Sequence, residues 1–335
     1  MPNFFFRESC CVLPIYRIEL PTPYMVGPVN AYLIASPPYT LVDPGPETDQ
    51  AKEMLRQALE EHGVPLEKVE RVLLTHFHSD HSGLARWVHV NSGARVYAHP
   101  YDLAKLVPGY DFLGQRLPLI KGSGIPPSLL AEILQDKDPL PAPWVPEEAA
   151  AGLADGDEIH FAGGTLRVLH LPGHATGHLC FYDPGGRTLL AGDFLLPHIT
   201  PNPLLEPDPG HPARRAPSLR QYLQSLERVE SLEVERVLPG HGQEMSGCRQ
   251  FVVLGREHHR ARLQAVLEAL EGNGRLTAFE LTLKLFPNLK GFEVLLGLSE
   301  VMAHLDYLEE SGKVGVLEDG GVAKYFLAAA GPEGS

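Results

Sequence analysis

The chain has 335 residues, with 42 acidic side chains against 28 Lys and Arg and a formal net charge of −14. Its hydrophobic content of 44% and charged content of 21% are those of an ordinary globular protein, which excludes disordered and fibrous classes. The length leaves room for one large core and a smaller second unit, the acidic balance argues against a general binder of nucleic-acid backbone, and no apolar run reaches the roughly 18 residues that cross a bilayer.

The N-terminus opens with an apolar cluster, Phe4 to Phe6. No basic region precedes it, and Arg7 and Glu8 follow at once, so no signal peptide is expected. The four cysteines, Cys10, Cys11, Cys180 and Cys248, form neither a disulfide framework nor a zinc knuckle. They read as reduced thiols of a cytoplasmic protein with no membrane partner. Apolar runs at 16–20, 29–34 and 39–42, each bounded by Pro, Gly, Asn or Asp, predict strands of a meander. The spacing of Met54, Leu55 and Leu59 predicts a helix over 48–62, closed by Gly63. A strand at 69–74, a helix at 84–90 and a strand at 94–98 follow.

The stretch 101–146 breaks this rhythm. It is rich in Pro and Gly, shows one helical piece at 128–135, and reads as an insertion packed over one end of the sheet and walling a cleft. Strands return at 158–161 and 165–171 around Gly163-Gly164, then at 179–182 and 188–191. A second Pro-rich loop, 197–217, leads to a helix at 218–229 and a strand at 235–238. Beyond lie helices at 248–270, 278–285 and 292–310 and a hairpin, 314–317 with 322–327. That succession predicts a winged helix. Tyr110, Phe112, Trp144 and His198 are candidates to line the cleft.

The chemistry concentrates in Thr75-His76-Phe77-His78-Ser79-Asp80-His81, directly after a predicted strand. Neutral imidazole is the commonest metal ligand, and carboxylate suits zinc, iron and manganese. In an extended loop alternate residues face one side, so His76, His78 and Asp80 are expected to converge and His81 to turn toward a neighbouring point. That split favours two metals over one. His174, Asp193 and His241 each follow a predicted strand and each has a neighbouring glycine that lets the backbone approach closely. Asp43, Thr75 and His178 are candidates to orient the imidazoles from behind.

With its His-x-His-x-Asp-His motif followed by His, Asp and His, and with Leu41-Val42-Asp43-Pro44-Gly45, the chain resembles the metallo-β-lactamase superfamily over roughly residues 15 to 245. The resemblance implies an α/β (α+β) protein built as an αββα sandwich, with metals at one sheet edge. It implies two divalent ions, zinc with iron or manganese as alternatives. His76, His78 and His174 would hold one, Asp80, His81 and His241 the other, and Asp193 would bridge. Two ions about 3.5–4 Å apart can share a hydroxide and lower its pKa toward neutrality, and Asp80 is the residue expected to carry the proton. The division expected is a catalytic domain over 1–247, with its insertion at about 101–150, and a winged-helix domain over 248–335.

The core also resembles glyoxalase II, but Pro239-Gly240-His241-Gly242-Gln243 departs from that enzyme's last-histidine motif. Phe194 stands where the lactonase branch commonly has a tyrosine near the bridging Asp. The whole chain resembles a subgroup in which a winged helix follows the hydrolase core, some members of which cut single-stranded RNA. The would-be recognition helix carries Glu293, Glu300, Asp306, Glu309 and Glu310, whereas reading bases needs a cationic approach to phosphate. The reading is therefore hydrolysis of a small ester, thioester or related acyl substrate, with the C-terminal unit structural and a homo-oligomer left open. RNA phosphodiester cleavage and sulfur oxidation at a single iron, as in persulfide dioxygenases, are the alternatives.

Overall fold

The computed structural model describes residues 12–135 and 139–328. The Phe4 to Phe6 cluster, Cys10 and Cys11 lie outside them. Cys180 and Cys248 are free and buried, and no helix among the described residues is long and apolar enough to cross a membrane.

Two six-stranded sheets form the centre. The first runs in order β1 (Ile15–Leu20), β2 (Val29–Ile34), β3 (Thr40–Val42), β4 (Arg71–Leu73), β5 (Arg95–Ala98) and β6 (Ala150–Gly152). Its first three strands meander antiparallel and β3 to β6 are parallel. Parallel neighbours need crossovers, and these carry α1 (Asp49–Glu61), the one-turn α2 (Ser79–Ser82) and α3 (Ala85–Ser92), then α4 (Pro100–Leu103), α5 (Phe112–Ile120) and α6 (Pro127–Ile133). Thr48 starts α1 by accepting the amide of Ala51 on its hydroxyl, and Ala51, Leu55 and Leu59 are buried along one stripe. Each such leucine contributes about 1.5–3 kcal/mol.

The second half adds β7 (Glu158–Phe161), β8 (Gly164–His170), β9 (Leu179–Asp183) and β10 (Thr188–Gly192), a small hairpin of β11 (Pro207–Asp208) and β12 (His211–Arg215), then α7 (Ser218–Glu230), β13 (Arg236–Pro239) and β14 (Met245–Ser246). The second sheet has the order β14-β13-β10-β9-β8-β7. The two sheets bury one core between them, where Tyr32, Ile34, Val42 and Leu73 meet Leu166, Val168, Phe181, Leu190 and Leu238. The outer face of the first sheet packs on α1 and α3 through Leu55, Leu59, Leu84 and Val88. The outer face of the second packs on α7 through Tyr222, Leu226 and Val229. All six residues of β2 are buried because both its faces are covered. This is the αββα sandwich.

The C-terminal part holds α8 (Arg249–Asn273), β15 (Arg275–Thr277), α9 (Ala278–Leu285), α10 (Glu293–Glu310), β16 (Val314–Asp319) and β17 (Val322–Leu327), with a sheet of order β15-β17-β16. A capping box between Thr277 and Glu280 starts α9. One helix serves two cores: Val252 of α8 packs with α7, while Val266 and Leu270 pack with α9 and α10.

The insertion departs from the sequence reading in two ways. It holds α5 as well as α6, although Gly114 and Pro118 lie inside α5; Asp111 caps that helix by accepting the Gly114 amide at 2.8 Å. It also does more than cover a sheet end. Leu106 and Val145 pack on the first sheet's outer core, but Leu117, Ile120, Ile125 and Leu130 enter the C-terminal core. The insertion thus ties the sandwich to the C-terminal part.

Candidate metal centre

The seven candidate ligands lie on loops that leave the C-terminal ends of strands running the same way within each sheet. In the first sheet, parallel β3 and β4 lead to Asp43 and to His76–His81. In the second, β8, β10 and β13 share one direction and lead to His174, Asp193 and His241. Open α/β sheets place ligands at such carboxyl ends. The sheets are stitched there: the Asn30 side chain donates to the carbonyls of Pro239 and Gly242 at 2.9 and 2.8 Å, and Tyr32 donates to Pro239 at 2.7 Å.

Two triads result. His76, His78 and His174 form one, and Asp80, His81 and His241 the other; within each triad one ligand atom per residue lies within 4.8 Å of the others. Asp193 faces both. Its Oδ2 is 3.7 Å from His174 Nε2 and 3.8 Å from His241 Nε2, and its Oδ1 is 3.4 Å from His81 Nε2. Asp80 Oδ2 is 3.3 Å from His241 Nε2. Grouping His76, His78 and Asp80 together from their alternate spacing is therefore corrected. His78 ends the extended stretch and caps α2, so Asp80 and His81 leave on a helical turn and reach the second triad instead.

The far nitrogen of most of these rings is already engaged. His76 Nδ1 meets Thr75 Oγ1 at 3.0 Å, His81 Nδ1 meets Asp43 Oδ2 at 3.0 Å, His174 Nδ1 meets the Asn202 carbonyl at 3.0 Å, and His241 Nδ1 meets the Pro28 carbonyl at 2.8 Å. Such contacts fix the tautomer and present Nε2 as a bare acceptor. His78 turns its Nδ1 inward, 3.2 Å from His174 Nε2. The Nε2 atoms of His76, His81 and His241 and Oδ1 of Asp193 are buried without any hydrogen-bond partner. Buried polar groups are almost always paired, and lone pairs converging on a small volume are satisfied by cations. The donor set, nitrogen and carboxylate oxygen, suits zinc, iron or manganese.

The electrostatics agree. Burial holds His76, His78 and His174 neutral, well below the ordinary histidine range for the first two, with neighbouring imidazoles adding repulsion at His76 and His78. Burial opposes charge on His81 and His241 too, but Asp193 and Asp80 outweigh it and raise both. Those same histidines hold Asp193 well below the usual carboxylate range against its burial. The second triad therefore attracts positive charge, and protons compete with metal for it.

Asp43 also lies within reach of His76 and His81, but its oxygens are taken by Thr75 N at 2.8 Å, Thr75 Oγ1 at 2.6 Å and His81 Nδ1. It orients ligands, in a backbone conformation with φ of +49°. Thr75 does the same for His76. His178 is fully buried, stacks on His76 at 5.1 Å and makes no hydrogen bond to a candidate ligand. Of the expected cleft residues, Phe112 packs on Phe77 and His78 at 5.1 and 6.2 Å, and His198 lies against Gly242. Trp144 instead packs under the Arg86 guanidinium.

A second set of residues had no signal in the sequence. Lys105 Nζ donates to Asp102 at 2.9 Å, Thr176 Oγ1 at 2.9 Å and Glu206 at 2.7 Å, all buried. Asp102 accepts the Phe77 amide at 3.1 Å and Glu206 the Thr176 amide at 2.8 Å. This network clamps the loops of His76–His78 and His174 from behind. Burial pushes Asp102 up to about 6 in spite of Lys105, whose own charge is held by the two carboxylates against its burial.

The sequence profile of the metallo-beta-lactamase superfamily matches residues 24–241. The chain is 31% identical over 305 residues to the probable metallo-hydrolase YqjP of Bacillus subtilis, covering 88% of this chain and 92% of that one. It matches the solved structure of the metallo-beta-lactamase family protein TTHA1429 from Thermus thermophilus with a TM-score of 0.74 and 32% identity, over 93% of this chain and 98% of that one. It is also 24% identical over 231 residues to the atrochrysone carboxyl ACP thioesterase of Aspergillus fumigatus, spanning 69% of this chain and 56% of that protein. The chain belongs to the metallo-beta-lactamase superfamily, whose fold implies divalent metal ions, and it is a hydrolase of that superfamily.

Proposed function

We propose that this hydrolase cleaves a small ester, thioester or related acyl substrate at a centre of two divalent ions. His76, His78 and His174 would hold one, Asp80, His81 and His241 the other, with Asp193 shared. The observation that carries the reading is the position of Asp193, whose two oxygens face nitrogens of both triads. When bound, divalent ions supply an activated water and polarise a scissile carbonyl. The protein's own part is to hold that geometry and to move a proton. Asp80, 3.3 Å from His241 and nine-tenths buried, is the carboxylate placed to take a proton from the attacking water and return it to the leaving group.

The acyl class draws support from the thioesterase relative and from the wall beside the motif. Tyr24 OH lies 2.8 Å from Ser79 Oγ, so the turn of Tyr24–Gly27 stands next to the ligands and presents Met25, 92% exposed, as an apolar surface for an acyl chain. Zinc is the proposed metal, because neutral imidazole and carboxylate suit it and no redox step is required.

The C-terminal part, proposed as a winged helix over 248–335, has a structural role in this reading. Two acidic residues of α10 are held in part-buried pairs, Asp306 with Arg215 and Glu300 with Arg262 at 2.7 Å, and Glu310 forms an exposed pair with Arg220 at 3.2 Å. They offer no cationic face to a phosphate backbone.

The test is a panel of thioesters, esters, lactones, phosphodiesters and RNA on zinc-, manganese- and iron-loaded protein, with bound metal counted on the same samples. Two ions per chain and thioester or ester turnover are expected. One tightly bound iron per chain, or turnover confined to RNA, would replace this reading with one of its alternatives.

A further inference from the structure

Arg116 sits on α5 in the insertion, one helical turn after Phe112, and its guanidinium lies over the Phe112 ring at 3.5 Å. The same ring faces His78 of the first triad at 6.2 Å. The guanidinium and the metal triad therefore share one aromatic wall, and the charge of Arg116 is felt at His78. Its Nε and Nη2 atoms are buried and have no hydrogen-bond partner.

Those two atoms form the side-on edge of the guanidinium, which offers two parallel N–H groups to one carboxylate or phosphate. Among the described residues, two other arginines use this edge in such a pair. Arg215 uses it to grip both oxygens of Asp306, and Arg236 uses it on both oxygens of Glu244. Glu206 is the carboxylate whose charge Arg116 feels, but its Oε2 is committed to Lys105 and Thr176, and its Oε1 is itself unpartnered. The two complementary groups do not close into a pair, and each keeps buried polar atoms unpartnered. Burial lowers Arg116 only to about 10, so it stays charged at neutral pH.

We propose that Arg116 is an anion-binding residue of this site and takes a carboxylate or phosphate group of the substrate on its Nε–Nη2 edge. The inference rests on the hydrolase reading above and narrows it: the substrate is an acyl compound that carries an anionic group at a distance from the scissile bond set by the Phe112 ring. Phe112 supplies the apolar spacer wall between Arg116 and His78. Lysine at this position would keep the charge but lose the fork.

The test uses metal-loaded protein and a matched pair of short thioesters, one ending in a free carboxylate and the other in its methyl ester. The wild type is expected to prefer the carboxylate. Arg116→Gln should reduce the ratio of the two kcat/KM values by roughly 10- to 100-fold, mostly through KM, and Arg116→Lys should restore part of it. An unchanged ratio in both variants overturns the proposal. If the wild type cleaves neither thioester, the acyl reading fails separately, and Arg116 is judged by calorimetric binding of succinate and of inorganic phosphate to wild type and both variants. A Kd at least tenfold weaker in the variants supports the site, and the anion with the larger loss identifies the group. Equal binding of both anions to all three proteins, as a bridging water alone would give, overturns it.

Discussion

Replacing Gly240 with Ala would push a methyl group into the metal centre without altering a ligand. A Cβ built there lies 2.7 Å from His81 Cε1 and closer still to Asp193 Oδ1, with the Gly192 carbonyl carbon at 3.0 Å. Moving the imidazole from 2.7 Å out to the 3.4 Å of ordinary contact takes a shift of about 0.7 Å, and Asp193 must give more. Metal–ligand distances are held to about ±0.2 Å, so both displacements exceed the tolerance several-fold. They fall on Asp193, the proposed bridge, and on His81 of the second triad. Metal affinity should drop by about 10- to 100-fold or more, as it does when the residues supporting ligands are disturbed, and the second ion should be lost first. Gly272→Ala is the control: it lies in α8 with nothing within 4 Å of the new Cβ, and it should stabilise the protein by about 0.4–1 kcal/mol. Competition against a chromophoric chelator reads the affinities, and thermal melting reads the fold. A Gly240→Ala protein that binds both ions as tightly as wild type would refute the placement of Asp193 and His81 in the centre.

Asp80→Asn should retain most of the geometry, weaken the second ion and lower turnover by roughly 10²–10⁴; full metal content with near-normal turnover would remove Asp80 from the proton path. Asp43→Ala leaves Thr75 N, Thr75 Oγ1 and His81 Nδ1 without their acceptor, so it should cost about 1–3 kcal/mol or more in stability and weaken metal binding as well; denaturant unfolding and metal titration together check it. The buried pair His259 and His304, 3.1 Å apart between α8 and α10, gives a pH prediction. Burial and mutual repulsion hold His259 at about 3, and burial holds His304 at about 4. Above their unfolded value of about 6.5 both are neutral in either state, and they add no pH dependence. Below it the unfolded chain takes up protons that the native chain refuses, so stability falls as pH drops from about 6.5 toward 4, by about 1.4 kcal/mol per pH unit for each histidine. Unfolding free energy measured across that range should lose close to half of this slope in His259→Gln, and an unaltered slope would count against it.

The ligand motif was legible because its residues are covalent neighbours: three histidines and an aspartate within His76–His81 have few other uses at that density. His174, Asp193 and His241 were legible through glycines beside strand ends, and the closeness of Gly240 to Asp193 and His81 shows why no side chain fits there. The periodicity of α1, α7, α9 and α10 was equally plain, since apolar stripes are written in local order. Other features depended on partners far along the chain. α5 forms across a glycine and a proline because Leu117 and Ile120 join the C-terminal apolar core and the helix packs on the β11–β12 hairpin, a tertiary gain that overrides weak local propensity. β6 is three small residues that become a strand only by pairing with β5. Asp80 and His81 fell to the second triad because α2 begins at Ser79 and turns them away from His76 and His78. Asp102 and Glu206 lie 3 and 101 residues from Lys105, in segments without pattern, and the three acquire a role only when folding removes water from among them. Local sequence encodes periodicity and side-chain chemistry, whereas which charges lose their water, and what they then pair with, is decided by the packing of the whole chain.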